Sequence, residues 1–458
     1  MTIWKEYEPE LLTDLYELTM AASYLKEGMS AEATFSLFIR DYPPHRAYFV
    51  AAGVEHLKEI IPHLRFSDSA LDYIATTGKF SSAFLDYLRA FRFTGTVRAI
   101  PEGCIFFTQE PILEVTAPII EAQLLETLVI NVVQMETLIA SKAARCVHAA
   151  RGKGLIDFSF RRTHGVDAGV KVARASYLAG FLGTSNMLAG KLFGLPTFGT
   201  MAHSYVTSFS SEIESFLAFA RAFPDNVVLL IDTYDTLSGA GKAVEVARIM
   251  AAEGKKLRAV RLDSGDLVQL SRRVRSILND AGFDEVKILV SGSLDEFRLQ
   301  ELLDAGAEID VFAVGTRMGV SADAPYFDIV YKLVEYDDRP VLKLSSGKKT
   351  WVGKKQVVRF HDEGGWMRED LVGLEGEDQA GGQPLLDVII SNGSLVRPVE
   401  TLAAIRDLFA KERETLPLRY RDIEPKDTYP VRFSEALRDL EERTAREKTQ
   451  QEIGTAKC

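Results

Sequence analysis

Four apolar runs constrain this chain most: Val227-Val-Leu-Leu-Ile231, Leu257-Arg-Ala-Val-Arg-Leu262, Val286-Lys-Ile-Leu-Val290 and Ile309-Asp-Val-Phe-Ala-Val314. Each is short and nearly continuous in hydrophobicity, as strands buried on both faces of a parallel sheet are. Between them lie stretches of helical period. After Asp263, for example, Leu267, Leu270, Val274, Ile277 and Leu278 recur at helical spacing, with Asp266 placed to cap them. The runs begin at residues 227, 257, 286 and 309, a spacing of βα-unit size. Upstream, Leu155–Phe160 and Thr197–Thr200 read as earlier strands, and Gly183–Asn186 as the end of another. Six or seven parallel strands joined by right-handed crossovers predict an α/β fold built on a parallel β/α barrel, closed or incomplete.

The flanks read differently. Ala33–Ile39 and Gly95–Ile100 look like strands beside long helices, the last of them Ile119–Arg151. Short β-like pieces follow Tyr326, at Ile329–Tyr336, Val341–Leu344, Gln356–Phe360 and Leu386–Ile390, and a charged helical stretch, Ser434–Glu452, comes last. The expected organisation is an accessory α+β domain completed by residues 1–150 and 326–458, around a barrel at 151–325. A chain of 458 residues can bury at least two cores.

At 47% apolar and 26% charged, the composition is that of a globular chain. A net charge of −11 argues against nucleic acid as a partner but not against a small anion in a locally basic pocket. Cys104, Cys146 and Cys458 have no paired spacing, which suits a reducing cytosol. The first residues carry no signal-peptide pattern, and no uninterrupted apolar run is long enough for a bilayer, so no membrane partner is expected.

In a β/α barrel the carboxyl ends of all strands meet at one mouth. The loops there are chemically consistent. Phe158-Ser-Phe-Arg161-Arg162, Gly199-Thr-Met-Ala-His203-Ser204, Asp232-Thr-Tyr-Asp235, Arg261-Leu-Asp263-Ser-Gly-Asp266, Ser291-Gly292-Ser293 and Gly315-Thr316-Arg317 offer guanidinium groups, carboxylates, Gly-rich turns and one loop histidine. Ser291–Ser293 and Gly315-Thr316 have the composition of phosphate-cradling loops, although either could be an ordinary turn. Gly239-Ala-Gly-Lys242 lacks the spacing of a nucleotide-binding P-loop.

Arg261 and Asp263, two apart, share one side of their strand, as a structural salt bridge or as a pair holding an anion and sugar hydroxyls. Asp232 and Asp235 could hold Mg²⁺ through water, or Asp235 could simply cap the next helix. His203 could accept a phosphoryl group or be a hydrogen-bonded structural residue; His164 has the same ambiguity. Arg161 and Arg162, if still in a strand, point to opposite faces. Tyr16 reads locally as part of an amphipathic helix capped by Thr13 or Asp14. A phosphorylated sugar is the substrate class that this set suits.

Taken together, Thr13-Asp-Leu-Tyr-Glu-Leu-Thr-Met20, Phe158–Gly165 with Asp167-Ala-Gly169, Thr184-Ser-Asn186, Gly199–Ser204, Arg261–Asp266, Ser291–Glu296 and Val314–Arg317 resemble the nicotinate phosphoribosyltransferase family, from Leu11 to about Phe360. The resemblance implies transfer of a 5-phosphoribosyl group from phosphoribosyl pyrophosphate to nicotinate, giving nicotinate mononucleotide and pyrophosphate for NAD salvage. It also implies Mg²⁺, ATP hydrolysis through a phosphohistidine at His203, and a homodimer in which Tyr16 crosses to the other subunit. Tyr16 and Phe158 would sandwich the pyridine ring, with Arg161 near the ring carboxylate or the pyrophosphate. Arg261 and Asp263 would hold the ribose-pyrophosphate region, Ser291–Ser293 and Gly315-Thr316 the 5-phosphate, and Asp232 would sit near Mg²⁺. The related nicotinamide enzyme carries Asp where this chain has Ser185, and a neutral Ser185 suits an acid substrate. Nicotinamide or quinolinate transfer, a sugar-phosphate aldolase or isomerase, and a non-catalytic homologue are the alternatives; no lysine at a strand end favours the aldolase.

Overall fold

The protein, seen in a computed structural model that describes residues 8–345 and 350–454, divides into two compact units, 141–325 and 1–140 with 326–458. Cys458 and the first seven residues lie outside the described part.

The 141–325 unit is built on six parallel strands: β1 (Gly154–Asp157), β2 (Gly183–Thr184), β3 (Val227–Leu230), β4 (Leu257–Leu262), β5 (Lys287–Val290) and β6 (Val311–Val314). Their hydrogen-bonded order is β2-β1-β6-β5-β4-β3. This is an open parallel β/α sheet, so the barrel is incomplete. The first strand pairs with the last, Gly154 to Val311 through Asp157 to Val314, which joins segments far apart in sequence. Thr197–Thr200, expected as a strand, contributes only a bridge from Thr197 to Thr184. Likewise β1 stops at Asp157, and Phe160–Arg162 is a 3-10 turn.

Helices fill the connections where capping and periodicity predict them. Asp266 accepts hydrogen bonds from the Val268 and Gln269 amides, both at 3.1 Å, and starts Leu267–Asp280. That helix buries Leu267, Ser271, Val274 and Leu278, leaving Leu270 and Ile277 half-buried. Asp235 caps Thr236–Ala252 through the Ser238 amide at 2.8 Å, which is the simple reading of that residue. Lys142 and Arg145 close on the fully buried Glu296 at 2.6 and 2.8 Å.

The other unit is α+β and draws on both ends of the chain. Its seven-stranded antiparallel sheet runs in the order 339–340, 329–336, 32–39, 113–118, 96–99, 387–391, 394–395. Late strands thus flank early ones, with Ile39 opposite Ile329 and Ala99 opposite Asp387. The β-piece expected at Val341–Leu344 falls instead at Arg339–Pro340, where the hairpin from Ile329–Tyr336 turns back. A four-stranded sheet adds Lys355–His361 and Met367–Leu374 with two short strands. The expected helix Ile119–Arg151 is two, Ile119–Gln123 and Glu126–Ala149. Contrary to the expectation from apolar runs, this segment has the length and mean hydropathy of a membrane span, but 67% of its apolar window is buried within the protein. Core burial accounts for that apolarity.

Two buried charge clusters tie this unit's early and late segments. Glu114 accepts from Arg98 at 2.6 Å, Lys355 Nζ at 3.1 Å and the Ser36 hydroxyl at 2.5 Å. Burial opposes its charge, but Lys355 and Arg98 outweigh it and hold Glu114 below the usual carboxylate range. In the second cluster, Arg359, fully buried, reaches Asp370 and Glu412, each at 2.7 Å, and the Ile105 carbonyl at 2.8 Å. Glu110 joins these carboxylates, and one of its oxygens accepts the Phe107 amide at 2.8 Å. Burial and Asp370 push Glu110 well above its ordinary range, with Arg359 offsetting them only in part.

A folded-state pKa above the unfolded value means folding retains a proton, so this group's contribution is complete below about pH 4.5 and is lost as pH rises toward the folded value. E110Q, which keeps a neutral side chain, should lose less unfolding free energy than wild type between pH 5 and pH 8. Denaturant titrations at the two pH values measure this, and parallel losses would contradict it.

Candidate active site

Side-chain alternation carries the inner face of the sheet into its rim. Ile156, Leu289 and Ala313 form a small apolar cluster with Phe158 against it. Two residues on from each, and therefore on the same side, stand Phe158, Ser291 and Gly315. On β4 the same step runs from Arg261 to Asp263. These four central strand ends enclose a cavity of about 340 Å³ lined by Phe158, Arg161, Arg162, Arg261, Asp263, Ser291–Ser293 and Gly315–Arg317, with Ala313 at its floor.

Arg261 is the best-fixed group. Its Nε donates to Ser291 Oγ at 2.9 Å, its Nη1 to Thr200 Oγ1 at 2.9 Å and the Met201 carbonyl at 3.1 Å, and its Nη2 to Asp263 Oδ1 at 3.1 Å. The guanidinium also lies 5.8 Å from the centre of the Phe158 ring. The salt bridge anticipated as the structural reading is therefore made, and it is made in the wall of the cavity. Burial works against the Asp263 charge, but the Ser291 hydroxyl and Arg261, with His203 adding to them, hold the carboxyl below its usual range. Gly292 has φ +95°, and a Cβ there would stand 2.4 Å from the Asp263 carbonyl oxygen. The close approach of these two loops requires glycine.

The 3-10 turn changes the arginine geometry. Because β1 has already ended, Arg161 and Arg162 both reach the cavity rather than opposite faces of a strand. Arg162 Nη1 contacts Thr316 Oγ1 at 3.5 Å, and neither arginine faces a carboxylate among the described residues. Arg317 pairs with Asp295 at 2.8 Å. Four guanidinium groups against the single lining carboxylate Asp263 make this a basic pocket in an acidic chain, suited to a polyanion.

The remaining expected residues flank the cavity. Ser185 follows β2 and Asp232 follows β3, the two outermost strands, so neither lines it. Ser185 is fixed by its amide to the Asp157 carbonyl at 2.8 Å. Asp232 Oδ2 accepts from the Asp263 amide at 2.9 Å and Ser264 Oγ at 2.6 Å, while its Oδ1 is buried without a protein partner among the described residues. One orphaned carboxylate oxygen fits a cation that keeps most of its water, as Mg²⁺ does. Among the described residues, no cluster of three acidic, His or Cys ligands could cage a metal. His203 opens helix His203–Thr207, with Nδ1 3.1 Å from Thr233 Oγ1, leaving Nε2 without a protein partner among the described residues. Neither His164, which is exposed, nor Lys242, which pairs with Glu212 at 2.8 Å, lines the cavity. Tyr16 lies in the other unit, on helix Leu15–Lys26, and is 46% exposed; partial burial, Glu126 and Glu17 raise its phenol.

Asp157 was not singled out from sequence, and Arg162 and Arg317 were read there only as members of their loops, without a role in the site. The two arginines stand inside motifs that were recognised, and only the turn geometry reveals their direction. Asp157, fully buried, accepts from the Ser159 amide at 2.9 Å, the Ser159 hydroxyl at 2.5 Å and Thr184 Oγ1 at 2.7 Å; its burial raises its pKa despite these bonds. Its signal was a charged residue closing an apolar strand.

Models of the nicotinate phosphoribosyltransferase N-terminal domain, family core and C-terminal domain match residues 11–134, 154–363 and 379–441. The third lies beyond Phe360, where the sequence resemblance had stopped. The chain is 46% identical over 435 residues to nicotinate phosphoribosyltransferase pncB2 of Mycobacterium tuberculosis, covering 94% of this chain and 93% of that one. With the Bacillus subtilis nicotinate phosphoribosyltransferase it shares 40% identity, over 80% and 77% of the two chains. The crystal structure of human nicotinic acid phosphoribosyltransferase superposes with a TM-score of 0.85 at 30% identity, covering 94% of this chain and all of that one. By sequence, and with a fold that agrees, the chain belongs to the nicotinate phosphoribosyltransferase family.

Proposed function

We propose that this protein transfers the 5-phosphoribosyl group of phosphoribosyl pyrophosphate to the ring nitrogen of nicotinate, releasing nicotinate mononucleotide and pyrophosphate and serving NAD salvage. The observation that carries this reading is the cavity: four adjacent strand ends meet in about 340 Å³ with four guanidinium groups and two Gly-containing loops. That volume suits a small phosphorylated sugar.

The chemistry follows from the groups present. Departure of pyrophosphate leaves an oxocarbenium-like C1, so catalysis rests on neutralising the leaving group and aligning the ring nitrogen. Arg161, Arg162 and Arg261 supply the positive charge. Asp263, held ionised by Arg261 and Ser291, is placed to accept hydrogen bonds from ribose hydroxyls. Ser291–Ser293 and Gly315-Thr316 offer amides to the 5-phosphate, and Phe158 offers a face to the pyridine. The nitrogen attacks with its own lone pair, so no general base is required. Asp232 would hold Mg²⁺, which neutralises pyrophosphate charge when bound.

ATP coupling fits His203. In the tautomer that donates Nδ1–H to Thr233 Oγ1, Nε2 would present its lone pair to the γ-phosphorus of ATP; the N–P bond forms as the β–γ bridging P–O bond breaks to release ADP. We further propose a cytosolic homodimer in which the exposed Tyr16 serves the second copy's ring site. The free, buried Cys104 and Cys146 are consistent with a reducing compartment.

Purified protein supplied with nicotinate, phosphoribosyl pyrophosphate and Mg²⁺ should form nicotinate mononucleotide, faster when ATP is added, and H203A should lose the ATP-dependent increment. No product from the wild type under either condition would overturn the function, and full ATP stimulation in H203A would overturn the phosphohistidine. S185D places a carboxylate beside an acid substrate. It should raise the nicotinate KM by roughly tenfold, about 1.4 kcal/mol of binding; unchanged kinetics would remove Ser185 from substrate choice.

A further inference from the structure

Asp157 is a fully buried carboxylate at the mouth, and the chemistry above does not use it. No cation pairs with it among the described residues; hydrogen bonds alone compensate its charge. Those bonds come from two different loops. Oδ1 takes the Ser159 amide and hydroxyl, in the turn that carries Phe158, Arg161 and Arg162, and Oδ2 takes the Thr184 hydroxyl from the end of β2. The backbone carbonyl of the same residue takes the Ser185 amide at 2.8 Å. Thr184 Oγ1 in turn accepts the Asn186 amide at 3.0 Å, and the Asn186 side chain reaches the Gly169 carbonyl at 3.1 Å. The turn is also pressed from outside, since a Cβ on Gly319 would stand 2.4 Å from Ser159 Cβ and one on Gly169 2.4 Å from the Phe160 ring.

Burying an unpaired carboxylate is costly, and only a group that accepts on both oxygens satisfies these three donors at once. Asn in its place offers one accepting oxygen, and a hydrophobic residue offers none. We propose that Asp157 is a positioning residue that sets the separation between Phe158 and Ser185, and thereby how tightly the pyridine acid is held. This inference rests on the proposed function. Losing only the Thr184 bond leaves the Ser159 bonds that fix the turn carrying Arg161 and Arg162, so a Thr184 variant is predicted to affect the pyridine substrate more than the phosphoribosyl donor, whose 5-phosphate loops follow β5 and β6.

The test is steady-state kinetics of the full-length protein for wild type, D157N and T184V, varying nicotinate and phosphoribosyl pyrophosphate in turn. T184V removes one donor and leaves the carboxylate in place, so it carries the test should D157N fail to fold. Both variants should raise the nicotinate KM tenfold or more, with the donor KM of T184V within twofold of wild type. An active wild type with the nicotinate KM of T184V within twofold would overturn the positioning role alone. Equal rises in both KM values in T184V would also overturn it, because they would indicate general loosening. A wild type that forms no nicotinate mononucleotide would overturn the proposed function and this inference with it.

Discussion

The pairing of β1 with β6 is the constraint on which the site depends. It brings residues 154–157 alongside 311–314, and its last bond, from the Phe158 amide to the Val314 carbonyl at 2.8 Å, sets the first loop of the unit beside the last. Every strand in the sheet runs the same way, so all six carboxyl ends lie on one edge. The four central ends then form the cavity, and the two outer ones hold the residues beside it.

Within this frame, local physics distributes the charges. Arg261 is spent partly on Asp263 and Arg317 on Asp295, which leaves Arg161 and Arg162 as the guanidinium groups without a carboxylate partner among the described residues. Their freedom follows from the short β1: a strand continuing to residue 162 would have turned one of them away. The same early stop puts Asp157 at the strand end, where its carboxylate can gather donors from two loops. In the accessory unit the logic is different. Glu114 is held ionised between Arg98 and Lys355, whereas Glu110 shares Arg359 with two other carboxylates and is driven toward its neutral form. A buried acid's state there follows the local balance of charge: two cations lie against Glu114, whereas one guanidinium serves three carboxylates around Glu110.

Much of this was legible in the sequence, for identifiable reasons. Apolar runs ending in charged loops marked β3 to β6, because strands buried on both faces leave little compositional ambiguity. The step from Arg261 to Asp263 was readable as one face of one strand, and Asp235 and Asp266 as helix caps. Strand order was not readable, since nothing in residues 154–157 specifies 311–314 as their neighbour. The 3-10 turn at Phe160–Arg162 was equally hidden, and with it the joint entry of both arginines. Asp157 escaped notice because its partners, Ser159 and Thr184, are ordinary residues until the fold brings them together. The pairing at Arg339–Pro340 and the burial of the apolar segment 119–149 were tertiary outcomes that local pattern does not encode.

The central claim is that the four inner strand ends act as one receptor for a pyrophosphorylated pentose. A crystal structure of the protein with phosphoribosyl pyrophosphate and Mg²⁺ tests it most directly. The account predicts the 5-phosphate against the amides of Ser291–Ser293 and Gly315-Thr316, the ribose hydroxyls at Asp263, and the pyrophosphate among Arg161, Arg162 and Arg261. Density for the donor away from these four loops, with the cavity taken up by water, would contradict it.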